Sequence, residues 1–276
     1  MTPSRSDVSG DPTSPIVLRA HAKLTLSLRM TGLRDDGFHL IDAEMVSLDL
    51  HDVVRIEPDG AGLTVTGPYG EGVPTDSTNL VATVLAHWGG GRTIADVGIA
   101  IDKHIPHGGG LGGGSTDAAA VARWLRPDLD PATPSGAQQL IELSEIGADI
   151  AFCAVGGRAR VRGIGEVVEP LPHVDRTLTL VIPPLSVSTP AAYRAWDDLG
   201  GPTGPGPNDL EPAALVVEPR LAWWRGAITE RCGEAPVLAG SGATWFVHGE
   251  RANALADLVD EGAEIVVATT VAEPGR

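Results

Sequence analysis

The chain is short of cysteine, lysine and aromatic residues, and each shortage excludes something. Cys153 and Cys232 are its only cysteines, without the paired spacing of a disulfide framework or a zinc knuckle, so a reducing, cytoplasmic setting is expected. Basic residues number 20 against 36 acidic, a formal net charge of −16. A surface that acidic repels a phosphate backbone and anionic headgroups alike, which argues against nucleic acid and membrane as partners. No apolar run approaches the ~20 residues of a membrane-spanning helix. The first fifteen residues, MTPSRSDVSGDPTSP, hold no apolar stretch and read as a disordered leader rather than a secretory signal. What the chain does have is apolar mass. With 42% hydrophobic and 20% charged residues over a length of 276, it can bury one large core or two modest ones.

The 35 glycines and 22 prolines cluster, and the clusters divide the chain into elements. Residues 16–30 alternate apolar and polar as a half-buried strand does, and a turn follows at residues 34–37. Further strands are predicted at 41–56, 63–66, 97–102, 158–161, 166–170, 177–182 and 264–270. A β-turn-β segment is predicted over 237–247. Helices are predicted at 77–88, capped by Asp76 or Ser77, and at 138–145, 189–197, 208–216, 220–232 and 251–259. This mixed order indicates an α+β protein. A boundary is expected near residues 171–175, where Pro170 and Pro172 interrupt both periodicities; residues 16–171 and 172–276 would then form two domains.

Residues 108–114 are the most unusual stretch, with six glycines in seven positions. Residues without Cβ let successive backbone N–H groups point into one concavity, and the Ala-rich helix that follows adds its unsatisfied donors and positive dipole end. Such a segment is a phosphate cradle, the alternative being a flexible linker. Ser115 and Thr116 stand at the expected N-cap, where a hydroxyl can cap the helix, touch a phosphate or reach a magnesium ion. No Gly-Lys-Ser/Thr follows, so the segment is not a Walker loop. Lysine supplies a second signal. Lys23 and Lys103 are the only two, all other basic residues being arginine, and a compact ammonium suits a tight site in a way that a guanidinium does not.

The run Pro106-His107-Gly108-Gly109-Gly110-Leu111-Gly112-Gly113-Gly114-Ser115-Thr116-Asp117 resembles the second motif of the GHMP kinases. Its two glycine triplets about a leucine are most similar to the branch whose acceptor is a cytidine diphosphate sugar-alcohol of the non-mevalonate isoprenoid pathway. Ala22-Lys23-Leu24-Thr25-Leu26, Asp36-Gly37-Phe38-His39, Gly147-Ala148-Asp149, Pro207-Asn208-Asp209-Leu210 and Gly240-Ser241-Gly242 extend the resemblance from residue 16 to the end of the chain. The resemblance implies a ribosomal protein S5 domain 2-like N-terminal domain and a ferredoxin-like C-terminal domain. It also implies phosphorylation of an alcohol by ATP with Mg2+. A kinase for another alcohol or sugar, and a catalytically silent nucleotide-binding homologue, are the alternatives; monomer and homodimer both stay open.

Phosphoryl transfer asks for positioning and electrostatic stabilisation rather than covalent chemistry. The resemblance implies that Asp149 accepts or orients the hydroxyl proton, with Lys23 as its charged neighbour. Read without it, Lys23 could face solvent from its strand and Asp149 could cap the next helix. Lys103, Pro106, the loop 108–114, Ser115 and Thr116 are expected to hold the nucleotide, with Ser115 on the metal. An acidic chain needs local positive charge there, and Lys103, His104 and His107 are the nearest supply. Cytosine presents two π faces and a polar edge. The resemblance assigns it to Phe38, His39, Thr189 and Tyr193, with Thr25, Gly240, Ser241 and Gly242 also facing substrate. Thr25 departs from the family, which has asparagine there; its hydroxyl still bonds but reaches less far.

Overall fold

The alternating segment near the N-terminus folds as β1 (Ile16–Leu33), which turns at Gly37 into the antiparallel β2 (His39–Glu57). A computed structural model of the chain describes residues 15–273; the expected leader lies almost wholly outside the described residues. Both strands outrun a simple alternation because each is covered on both faces in its middle, where residues 22–26 are all buried. Register shifts between His21 and Lys23 and between Thr25 and Ser27 bracket that buried stretch. Bulges of this kind re-aim side chains, and here they flank Lys23 and Thr25.

One edge of β2 carries β1. The other is shared among three strands: β5 (Arg158–Gly163) along residues 41–46, β10 (Glu264–Val271) at 47–48, and β4 (Gly98–Asp102) along 53–57. Outer strands complete this half. β3 (Gly62–Thr66) runs parallel to β4, and β6 (Val167–Leu171) antiparallel to β5. Continuing past its contact with β2, β10 pairs along residues 264–269 with β7 (Thr177–Ile182), which pairs in turn with β9 (Trp245–His248) and through it β8 (Val237–Leu238). A strand from the very end of the chain therefore joins both halves.

Helices α1 (Leu80–Trp88), α2 (Gly113–Leu125), α3 (Pro134–Ile146) and α4 (Ile150–Val155) cover the N-terminal sheet. Helices α5 (Thr189–Asp198), α6 (Glu211–Val217), α7 (Leu221–Cys232) and a 3-10 turn at Ala252–Val259 pack on the C-terminal one. A third apolar cluster, including Leu24, Ile105, Leu111, Leu180 and Phe246, fills the seam between the halves.

The expected elements differ from the observed ones mainly at their ends. Helix α1 starts after Asn79, whose side chain accepts from the Val81 amide, because Asp76 is engaged by the amide and hydroxyl of Thr78 in a preceding turn. Helix α6 starts three residues later than its pattern suggested, since Asn208 and Asp209 are held in other contacts. Helix α2 begins at Gly113 behind a left-handed Gly112, so Ser115 and Thr116 lie in its first turn instead of capping it. Among the described residues no helix is long and apolar enough to cross a membrane.

Phe152 on α4 is fully buried beneath the sheet. Phe152→Ala is expected to cost about 3–5 kcal/mol through lost burial and the cavity left behind. Urea denaturation measures this, and a loss below about 1 kcal/mol would show that the site collapses freely.

Candidate active site

The site is assembled around β1. The Lys23 amide donates to the Leu111 carbonyl at 3.0 Å, and Thr116 donates its hydroxyl to the His21 carbonyl at 2.6 Å. These two bonds lay the glycine loop and the first turn of α2 directly over the strand. The approach is close. A Cβ on Gly112, which has φ +72, would lie 2.7 Å from the Lys23 side chain, and one on Gly110, with φ +73, would lie 2.9 Å from the Gly242 carbonyl oxygen. Glycine is therefore required at both positions by backbone conformation and by contact.

The loop keeps its donors free. Among the described residues no hydrogen bond engages the backbone N–H groups from Gly108 to Ser115, whereas that of Thr116 donates to the Gly112 carbonyl. Eight amides in a bend that ends on the N-terminus of a 13-residue helix form a concentration of positive dipole suited to an anion. Ser115 is half-buried and Gly114 exposed beside them, while Leu111 is fixed in the seam at 1% exposure. Pro106 is buried at the loop's entry and His107 is exposed.

Lys23 and Asp149, 126 positions apart in the numbering, meet with Nζ 3.2 Å from Oδ2. Bulging of β1 delivers the lysine. The aspartate comes from the N-terminus of α4, where its side chain makes no capping bond and is turned to the ammonium instead. Lys23 is 6% exposed. The two groups line a cavity of about 400 Å³ together with Thr25, Phe38, His39, Tyr193, Gly240 and Ser241. Thr25 is 2% exposed and its hydroxyl has no partner among the described residues, so it retains an unused donor and acceptor beside the pair.

The far end of the cavity is aromatic. His39 stacks at a tilt on Tyr193 with centroids 4.9 Å apart, lies edge-on to Trp196, and bonds through Nε2 to Asp197 at 2.8 Å. Phe38 is 56% exposed, an apolar face presented at the rim. Burial and the Asp149 charge push the Tyr193 hydroxyl up to about 12, keeping it neutral. Thr189 is exposed and bonds Ser241 between hydroxyls at 2.8 Å. Gly242 is buried behind that turn.

Lys103 is placed differently from the expectation that it supplies charge to the phosphates. Its ammonium is 2% exposed and lies beneath the loop, held by Asp52 and by Asp117 Oδ2, the latter at 2.6 Å. Asp52 also accepts from the amides of His104 and Ile105 at 2.5 and 2.8 Å. Burial works against the ammonium, but Asp117 and Asp52 outweigh it and hold its pKa above the ordinary value. Burial pushes the Asp117 carboxyl well above the usual carboxylate range. His104 is likewise drawn away, to Asp102 at 3.1 Å. The groups of positive character beside the loop are instead its own main-chain amides and Lys23. Asp52 and Asp117 carry little signal in the sequence, each being a lone buried acid among apolar neighbours on its strand or helix.

This chain is similar to known proteins over most of its length. Residues 78–157 match the model of the GHMP kinases N terminal domain. A protein of Paracoccus denitrificans called 4-diphosphocytidyl-2-C-methyl-D-erythritol kinase is 36% identical over 248 residues, covering 82% of this chain and 84% of its own. One of the same description from Dinoroseobacter shibae is 35% identical, covering 84% and 85%. The crystal structure of a 4-(cytidine 5'-diphospho)-2C-methyl-D-erythritol kinase superposes with TM-score 0.71 at 29% identity, over 92% of this chain and 99% of that one. A homoserine kinase from Cytophaga hutchinsonii, 16% identical with TM-score 0.64 over 98% of each chain, shares the fold.

Removing the cation below the loop tests its structural role. Lys103→Met leaves two buried carboxylates uncompensated and is expected to cost about 3–5 kcal/mol, read from the denaturation midpoint; an unchanged midpoint would contradict it. Asp117→Asn should cost less, because it takes away one buried acid while keeping the side chain's shape and an oxygen to accept from Lys103. Folded Asp117 binds its proton more tightly than the unfolded chain does, so this group's stabilisation declines as pH rises from the ordinary carboxyl range through the folded value. Asp117→Asn removes that decline, and stability curves across that window compare the two proteins.

Proposed function

The chain belongs to the 4-diphosphocytidyl-2-C-methyl-D-erythritol kinases of the GHMP kinase superfamily, and we propose from that membership how its residues carry out the reaction. The protein phosphorylates the 2-hydroxyl of 4-diphosphocytidyl-2-C-methyl-D-erythritol. The observation that carries the assignment of roles is the Lys23–Asp149 pair at 3.2 Å, set in a cavity that reaches the glycine loop at Gly110.

In this reading the free amides from Gly108 to Ser115 receive the triphosphate of ATP, whose γ-phosphoryl is directed at the cavity. Asp149 accepts a hydrogen bond from the 2-hydroxyl and takes its proton as the oxygen bonds to the γ-phosphorus and the bond to the β,γ-bridging oxygen breaks, with ADP as the leaving group. Lys23, already beside that carboxylate, stabilises the negative charge on the attacking oxygen and on the equatorial phosphoryl oxygens. Its tight seat between β1 and Gly112 keeps the ammonium where that charge develops. The cytidyl group extends toward the aromatic end, with Phe38 on one ring face, Tyr193 and His39 on the inner side, and the unpartnered Thr25 hydroxyl bonding nearer the reacting centre.

The residues also fit a magnesium ion carried by the nucleotide. No group of three or more His, Cys, Asp or Glu side chains suited to a metal exists among the described residues, and Mg2+ commonly takes most of its ligands from phosphates and water. The Ser115 hydroxyl, in the first turn of α2 beside the amides, would contribute one ligand. When bound, the ion supplies charge neutralisation between the phosphates. We set the domain division between β6 and β7, supported by the separate apolar clusters on either side.

Mass-spectrometric detection of phosphate transfer from ATP to the cytidyl alcohol tests the reading. Lys23→Ala is expected to lower kcat by about 10²–10³, and Asp149→Asn by about 10²–10⁴. Nucleotide binding without turnover in the wild type, or full activity in Asp149→Asn, would contradict it.

A further inference from the structure

Asn208 is buried at 5% exposure and does not line the cavity. Its surroundings nevertheless connect the two sides of the active site. The segment around it is bound to β1: the Leu28 amide donates to the Pro207 carbonyl at 2.8 Å, and the Asp209 amide to the Leu28 carbonyl at 2.9 Å. Asp209 then accepts from the Met30 amide and from Arg29. From this anchored base, Asn208 donates through Nδ2 to the carbonyls of Leu238 and Gly240, at 2.8 and 2.7 Å, and accepts from the Leu210 amide at 2.9 Å. Two acceptors and one donor around the carboxamide fix which end is nitrogen.

The bond to Gly240 has a consequence across one peptide plane. In a trans peptide the C=O and the following N–H point in opposite directions. The Gly240 carbonyl is turned to Asn208, so the Ser241 N–H points away from Asn208, and Gly240 and Ser241 both line the cavity with Lys23 and Asp149. Among the described residues that N–H donates to no backbone carbonyl, although its neighbour Gly242 donates to Ala239. A Cβ at Gly240 would lie 4.0 Å from Lys23 Nζ, which places this peptide beside the ammonium.

We propose that Asn208 is a positioning residue: by holding the Gly240 carbonyl it aims the Ser241 amide into the cavity as a second donor, with Lys23, to the transferred phosphoryl group. The inference rests on the kinase reading above. It assigns to a buried carboxamide the orientation of one main-chain donor, and to that donor a share of the charge developing on the phosphoryl oxygens.

Asn208→Asp keeps the size and the acceptor for Leu210 but faces an oxygen toward both carbonyls, so the Gly240–Ser241 peptide loses its hold. The expected result is a fall in kcat of about 100-fold, with KM for the cytidyl alcohol within about threefold of wild type, as a transition-state-only interaction requires. Ser241→Pro, compared with Ser241→Ala, deletes the same N–H apart from the hydroxyl and should reproduce that fall. It decides the matter if Asn208→Asp does not fold. The Gly240 carbonyl 13C shift in the ligand-free protein should also move in Asn208→Asp. Folded Asn208→Asp with kcat near wild type, or Ser241→Pro matching Ser241→Ala, would overturn the inference while leaving the kinase reading intact. A wild-type protein without phosphate transfer would overturn both.

Discussion

Close contact between the glycine loop and β1 is the constraint on which the site depends. The Lys23–Leu111 backbone bond and the 2.7 Å that would separate Lys23 from a Cβ on Gly112 leave no room for a side chain. They also set the aliphatic stem of Lys23 directly against the loop. Lys23 is held under the loop, beside its free amides, with its charge delivered to Asp149. Loosening the loop would therefore disturb the donors and the charged pair together.

Beneath this contact lies a second ionic arrangement whose work is structural. The Asp52–Lys103–Asp117 cluster ties the end of β4, the middle of β2 and the first turns of α2, fixing where the loop leaves its strand and enters its helix. The two lysines thus have separate duties: Lys103 supports the cradle from within, and Lys23 faces the cavity. A buried cluster of this kind is expensive to break and contributes little net stability when intact, so its value lies in fixing geometry. The C-terminal half completes the enclosure. Its Gly240–Gly242 turn reaches the loop, Ser241 bonds Thr189, and β10 joins the sheets beneath.

Much of this was legible in the sequence because it rests on local pattern. Alternation in residues 16–30, the glycine run, and the Ala-rich helix after it each dictate one local structure, and each formed. The scarcity of lysine pointed to both ammonium groups, though not to their different partners. What could not be read depends on contacts distant in sequence. Nothing local reveals that Asp52 and Asp117 converge on Lys103 from two elements. The inward cap of α1 at Asn79 was hidden because Asp76 satisfies Thr78 first. By local pattern Asp149 fits a helix cap equally well, and only its partner on β1, 3.2 Å away, sets it apart. Thr25, at 2% exposure with a hydroxyl that finds no partner among the described residues, shows why a departure from a family pattern must be judged in its cavity.

The central claim is that main-chain amides of the loop grip the nucleotide's phosphates next to Lys23. Titrating 15N-labelled protein with a non-hydrolysable ATP analogue measures it directly. The amide resonances from Gly108 to Ser115 should shift as the analogue binds, together with the Lys23 ammonium. Saturable binding that leaves those resonances in place would contradict the account.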